Sequence, residues 1–120
     1  MRIRLIALVV AALSIGVPAA HAHARLDHAS PIVGSTVKAA PKEVTLSFTE
    51  ALEPKFSSIE VRDAHGGAMQ IGAVQGVAGN RAQLRVALKP LPPGSYTVKW
   101  KALSVDTHRT QGDFTFTVEP

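Results

Sequence analysis

The sequence predicts an all-β protein, an immunoglobulin-like (Greek-key) β-sandwich of about seven strands. Segments 43–50 and 81–88 alternate apolar and polar residues, with the period of two that marks a half-buried strand. Clusters of glycine and proline separate such segments at regular intervals, and no apolar period of 3.6 residues continues for ten residues. Short strands spaced in this way over roughly 100 residues are typical of a sandwich, with closure into a small barrel as the structural alternative.

Seven strands are predicted along the chain, and most of them carry their apolar residues on one face. They are 24–29, 43–50, 56–63, 68–75, 81–88, 95–104 and 113–118. Phe56 is out of phase with Ile59 and Val61, which indicates a bulge at the start of its strand. Trp100 is in phase with Tyr96, which predicts that it packs in the core rather than serving as a stacking platform for a carbohydrate.

The N-terminal segment has the three-part layout of a secretory signal peptide. Two arginines precede an apolar run over 5–17, and Ala20 and Ala22 occupy the small-residue cleavage positions. The run is about 13 residues long, shorter than the roughly 20 that a helix needs to span a bilayer. We therefore expect 1–22 to be a signal peptide that is cut after Ala22.

Cleavage after residue 22 would leave 98 residues, 23–120, enough for one domain with its own core. We expect this mature protein to be a soluble monomer in the periplasm. The sequence has no cysteine, so the domain is stable without disulfides and cannot bind a metal through thiolates.

The charge balance argues against a nucleic-acid partner. Arg2 and Arg4 would leave with the signal peptide, which lowers the formal net charge from +4 to +2. The remaining lysines and arginines are scattered and aromatic residues are few, whereas nucleic-acid binding requires a basic stripe with stacking side chains.

Two places in the chain could together bind a metal ion. Cleavage would give His23 a free α-amine beside its ring, so that one residue offers two nitrogen donors. Asp106 and His108 are separated by one residue, and on an extended backbone they would project to the same side. Alone, this Asp-x-His pair is a weak signal. Nitrogen and carboxylate donors without sulfur suit a divalent ion such as copper(II).

Several short segments, spread over nearly all of the expected mature chain, carry a family resemblance. They are His23-Ala24, Leu26, Ser30-Pro31, LSFTE at 46–50, LPPGSYTVKW at 91–100, SVDTH at 104–108 and GDFTFTV at 112–118. In these segments the chain resembles the CopC-type periplasmic copper-resistance proteins, which are small β-sandwich copper carriers.

The resemblance implies one copper(II) ion bound by the amine and ring of His23, the carboxylate of Asp106 and the ring of His108. An amine and two imidazoles around copper form a histidine brace. Glu50 matches an acidic position near the site and would support one of the ligands; the alternative is a solvated carboxylate at a strand end. Some members also hold copper(I) in a methionine-rich loop, but here Met69 stands alone, which favours a copper(II)-only protein with Met69 in the core.

The resemblance also implies a role: a non-enzymatic carrier or buffer in copper homeostasis or resistance, which could deliver copper to a CopD-like membrane transporter. One rival is a histidine-brace copper oxygenase similar to a lytic polysaccharide monooxygenase. Asp106 close to the copper and the lack of aromatic-rich insertions disfavour it. A plain sandwich adhesion module is the other rival.

Two further histidines need an assignment. His28 lies an odd number of positions from His23, so a regular strand would point the two side chains to opposite faces; contact of His28 with the metal stays open. His65, next to two glycines, is expected to be an exposed turn residue.

Overall fold

The computed structural model describes residues 24–120 and contains eight strands in two sheets. The strands are β1 (Leu26–Ser30), β2 (Thr36–Val37), β3 (Glu43–Phe48), β4 (Ser58–Arg62), β5 (Gln70–Val77), β6 (Asn80–Leu88), β7 (Gly94–Leu103) and β8 (Arg109–Val118). One sheet has the order β1-β3-β6-β5 and the other β2-β8-β7-β4. All pairs are antiparallel except the parallel pair β2–β8. The predicted sandwich is confirmed, and the alternative of a closed barrel is not observed.

Three details differ from the sequence-based expectation. The two-residue strand β2 was not predicted, because so short a segment shows no alternation. Strand β8 begins at Arg109 rather than at 113, so the loop before it is shorter than expected. The predicted bulge at Phe56 is wrong: Phe56 ends a 3-10 turn, Pro54–Phe56, with Pro in its first position, where the missing N–H costs no hydrogen bond.

The core lies between the two sheets and contains the residues that the alternation predicted. In β3, in β7 from Tyr96 on, and in the second halves of β6 and β8, every second residue is buried, among them Val44, Leu46, Leu84, Val86, Tyr96, Val98, Trp100, Phe114 and Phe116. Burial of large apolar side chains, at about 25 cal/mol per Å², is the main force that holds such sheets together.

Trp100 is a core residue, as its phase predicted. It is 8% exposed and meets Phe48 edge to face, with ring centroids 5.1 Å apart. Its cross-strand neighbour Gly112 has no side chain, and a Cβ there would lie 2.6 Å from the indole ring. Gly112 is therefore the residue that makes room for the indole.

Three segments meet at one end of the sandwich. They are the residues before β1, the segment that follows β3, and the loop 104–108 that joins β7 to β8. The backbone N–H of Val105 donates to the carbonyl of Ala51 at 3.0 Å, and Leu52 forms a β-bridge with Ser104. Within residues 24–120, no helix is long and apolar enough to cross a membrane.

Candidate metal centre

The loop 104–108 is a tight turn that the buried Ser104 closes. Ser104 is fully buried, and its backbone N–H donates to the carbonyl of His108 at 3.0 Å. The N–H of Thr107 donates to the carbonyl of Ser104 at 2.9 Å. Thr107 has φ 71°, in the left-handed region that β-branched residues rarely adopt. Backbone strain of this kind is often found at functional sites, where the surrounding structure maintains it.

The turn brings the side chains of Asp106 and His108 together. Nδ1 of His108 lies 3.2 Å from Oδ2 of Asp106, and both side chains are a little under half exposed, at 47% and 43%. Asp106 and His108 are close together, as expected. The expectation that an extended backbone would place them on the same side is wrong, because the backbone reverses direction between them.

The Asp106 carboxyl is held in its charged form. Its pKa is lowered from the ordinary value of 3.8, first because the Ser104 hydroxyl donates a hydrogen bond to Oδ1 and then because of its hydrogen bond with the His108 side chain. Above that pKa the group is a carboxylate with one oxygen toward Ser104 and the other toward the imidazole. Because Nδ1 of His108 faces the carboxylate, the other ring nitrogen, Nε2, can bind a metal ion without breaking this contact.

Glu50 lies in the segment that follows β3, next to Ala51, whose carbonyl accepts from Val105 of the loop. Its Oε2 atom is buried and has no hydrogen-bond partner among the described residues. A buried acceptor without a partner costs about 1–3 kcal/mol, so such an atom calls for a donor or a cation nearby.

His23, the fourth residue of the expected site, lies outside the described residues. The residue that follows it, Ala24, is fully buried, and its carbonyl accepts a hydrogen bond from Thr110 Oγ1 at 2.8 Å. The backbones of Arg25 and Thr49 are also joined, by a bond of 2.9 Å from the N–H of Thr49 to the carbonyl of Arg25. Ala24 is thus bonded to Thr110, two residues after His108, and Arg25 is bonded to Thr49, the residue before Glu50.

Two further histidines, His28 and His65, lie among the described residues. A register shift interrupts β1 between Leu26 and His28, so counting positions from His23 does not give the direction of the His28 ring. That ring is 70% exposed and faces its neighbour Asp27 at 3.2 Å. His65 is exposed in a turn, as expected. Within residues 24–120, no three His, Cys, Asp or Glu side chains cluster as a metal site.

Residues 26–119 of the chain match the CopC domain family. The chain belongs to the CopC family. It is 36% identical over 114 residues to protein YobA of Escherichia coli strain K12, which covers 94% of this chain and 92% of that protein.

Two solved structures show the same CopC fold. One is CopC from Methylosinus trichosporium OB3b, with a TM-score of 0.77 and 38% identity over 82% of this chain and 95% of that one. The other is PcoC, a methionine-rich copper resistance protein from Escherichia coli, with a TM-score of 0.72 and 34% identity over 82% of this chain and all of that one.

Two residues of this CopC-family chain were missed from the sequence. Ser104 donates its one hydroxyl proton to the Asp106 carboxylate, and its Oγ accepts a hydrogen bond from the backbone N–H of His108 at 3.3 Å. Thr110 anchors Ala24. Serine hydroxyls commonly hydrogen-bond the backbone of a turn, so Ser104 could have been noticed. Nothing in the sequence pairs Thr110 with Ala24, because they are 86 positions apart.

Proposed function

We propose that the mature protein binds one copper(II) ion at the end of the sandwich where the loop 104–108 lies. The ligands are the amine and ring of His23, the carboxylate of Asp106 and the ring of His108. The observation that carries this proposal is the Asp106–His108 pair, 3.2 Å apart, in a CopC-family chain whose Ala24 is tied to Thr110. Three nitrogens and one oxygen suit copper(II), which also tops the divalent affinity order.

Glu50 is a supporting group in this proposal. The unpartnered Oε2 would accept a hydrogen bond from a ligand such as the His23 amine or an imidazole N–H. Groups of this kind orient the ligands and raise their basicity. The energetic cost of the buried oxygen is then offset when the site is complete.

The protein acts as a copper carrier or buffer, and not as an oxygenase. An oxygenase needs an open position on copper and a binding face for its substrate. The Asp106 carboxylate, held charged beside His108, is available to occupy the copper. The one tryptophan, Trp100, is buried in the core and cannot stack on a polysaccharide.

We also propose that the mature protein, after removal of residues 1–22, is a monomer in the periplasm. The resemblance to CopC-type proteins, which are often associated with a CopD-like membrane protein, leads us to propose a transporter of that kind as the recipient of the copper.

Competition titrations with chelators of known strength test the function. We expect one copper(II) ion per protein, weaker zinc binding at the same site, and affinity that falls below neutral pH because amines and imidazoles must lose protons to bind. Ascorbate should release the metal, because copper(I) prefers sulfur. Met69, packed against the core, should be replaceable by Leu without effect.

Copper(I) held as tightly as copper(II), with loss of that binding in Met69→Leu, would contradict the copper(II)-only proposal. Peroxide formation with ascorbate, together with cleavage of a polysaccharide, would favour the oxygenase instead.

A further inference from the structure

A groove of about 280 Å³ lies along the paired strands β7 and β8, beside the loop 104–108. Its lining residues are Phe56, Lys101, Ala102, Arg109, Thr110 and Gln111. Arg109 follows His108 in the chain and pairs with Leu103, the last rung of the β7–β8 ladder before the loop. Whatever occupies this groove is therefore next to the candidate metal centre.

Phe56 gives the groove an apolar wall that is held in an exposed position. Its side chain is 61% exposed, which is unusual for a phenylalanine. The 3-10 turn that presents it is fixed at both ends. The N–H of Glu53 donates to the carbonyl of Leu103 at 2.8 Å, and Ser57 Oγ donates to the carbonyl of Glu53 at 2.8 Å. The exposure of Phe56 is therefore a property of the fold and not of a loose loop.

Lys101 and Arg109 give the groove two positive charges, and none of its lining residues is acidic. The strand partners of Lys101 are Ser58 and Gln111, which are uncharged. Among residues 24–120, neither Lys101 nor Arg109 forms an ion pair within 4 Å. Glu53, which precedes the 3-10 turn, lines a different groove with Asn80 and Arg81.

Lys99 lies on the same face of β7, two residues before Lys101, but its strand partners are acidic. Its strand partners are Glu60 on one side and Asp113 on the other, so its charge lies between two carboxylates. Lys101, unlike Lys99, thus has no carboxylate as a strand partner.

We propose that this groove is a docking site for an acidic segment of a protein partner, one that carries carboxylates and an apolar side chain. The carboxylates would pair with Lys101 and Arg109, and the apolar side chain would pack on Phe56. Charge complementarity supports a negatively charged occupant. Two cations around one concave groove fit a peptide segment, whereas anionic membrane surfaces are recognised by clusters of four to eight basic residues.

This inference rests on the proposed function in one respect: the docked partner would be the protein that receives the copper. The metal would pass as the divalent ion from the protein's ligands to those of the partner, without a change of oxidation state. Docking itself does not need the metal, so the two ideas can be tested separately.

The transfer test uses two synthetic acceptor peptides. Both begin with Gly-Gly-His, which binds copper(II) through its amine, its imidazole and the two intervening amide nitrogens, whose protons are released to the buffer, and they continue with either Glu-Leu-Glu or Lys-Leu-Lys. We expect the copper-loaded protein to transfer copper to the acidic acceptor roughly ten times faster at low salt. The difference should shrink as salt rises to about 0.15 M, because exposed charges are screened.

The variants locate the effect. Lys101→Glu combined with Arg109→Glu should abolish or reverse the preference while copper affinity, measured by competition, is unchanged. Lys99→Glu is the matched control on the same strand face and should retain it. Phe56→Ala should remove the advantage of the leucine-containing acidic peptide over one in which serine replaces leucine. Equal rates for the two acceptors, or a loss in Lys99→Glu as large as in the double variant, would overturn the docking site.

Titration of the metal-free protein with the acidic peptide, followed by amide NMR shifts, separates docking from copper binding. Shifts centred on Phe56, Lys101 and Gln111 support the inference even if no copper site forms. Shifts at these residues with phosphatidylglycerol vesicles, and none with the peptide, would assign the groove to a membrane surface and overturn it.

Discussion

The protein contains two turns with the same pair of residues, Asp63-x-His65 and Asp106-x-His108, and the structure treats them differently. In the first turn, Asp63 Oδ1 accepts hydrogen bonds from the backbone N–H groups of His65 at 2.9 Å and Gly67 at 2.8 Å. The Asp63 carboxylate thus stabilises its own turn by accepting hydrogen bonds from the turn backbone. In the second turn the acceptor oxygens of Asp106 face a hydroxyl and an imidazole instead.

The backbones of the two turns differ in the same sense. The left-handed position is a glycine in the first turn, Gly66 with φ 83°, and a threonine in the second, Thr107 with φ 71°. Glycine adopts this region without steric cost, whereas a β-branched residue does not. A turn that serves only to reverse the chain uses glycine, and the turn with the strained residue is the one that pairs a carboxylate with an imidazole. If Asp106 and His108 bind copper as proposed, the partners of the carboxylate and not the Asp-x-His spacing distinguish the metal site from a plain turn.

Replacement of the histidine in each turn by alanine should give the largest difference in copper(II) affinity. We expect His108→Ala to remove a nitrogen ligand and to lower copper(II) affinity by more than the roughly 10- to 100-fold that a supporting group contributes. His65→Ala should leave affinity and the copper(II) spectrum unchanged, because His65 is an exposed turn residue. Competition titration with electron paramagnetic resonance measures both. Equal behaviour of the two variants would remove the distinction between the turns.

The carboxylate next to each turn gives the second test. Glu50→Gln should keep the ligand set, and so the spectrum, while it weakens copper(II) binding by roughly 10- to 100-fold. That is about 1.4 to 2.8 kcal/mol at 1.4 kcal/mol per decade. Glu60→Gln is the control. Glu60 lies beside the Asp63 turn and pairs with Arg62 at 3.3 Å, so its replacement should leave copper(II) affinity unchanged. A Glu50→Gln variant with wild-type affinity would make Glu50 a merely structural residue.

A smaller effect should appear in the titration of the two aspartates. Both have a lowered pKa, Asp63 chiefly through the backbone N–H of Gly67 and Asp106 chiefly through the Ser104 hydroxyl. Ser104→Ala should therefore raise the pKa of Asp106 toward 3.8 and leave that of Asp63 in place. Carboxyl ¹³C NMR of the metal-free protein reads both groups at once.

The sign for stability follows from the same shifts. A carboxyl whose pKa is lower in the folded state stabilises the fold at pH values above its unfolded pKa, and this stabilisation is lost as the pH falls through the folded pKa. Ser104→Ala should thus lose the contribution of Asp106 near neutral pH and differ less from the wild type in strong acid. A Ser104→Ala variant with an unchanged Asp106 pKa would show that the hydroxyl does not hold the charge.

The sequence predicted the core well because burial between two sheets imposes a period of two. Val44, Leu46 and Trp100 could be assigned to the core from their neighbours alone. It predicted the site less completely, because contacts across long separations leave no local pattern. The anchoring of Ala24 by Thr110 and the exposure of Phe56 both depend on which strands the fold places side by side.

The most direct test of the central claim compares two forms of the protein that differ by one residue. One begins at His23, and the other has a single alanine before it, which turns the amine into a peptide nitrogen and leaves the ring intact. We expect the first form to bind one copper(II) with three nitrogen ligands in its electron paramagnetic resonance spectrum. The second should bind more weakly with a changed spectrum. Identical spectra and affinities in the two forms would contradict the site.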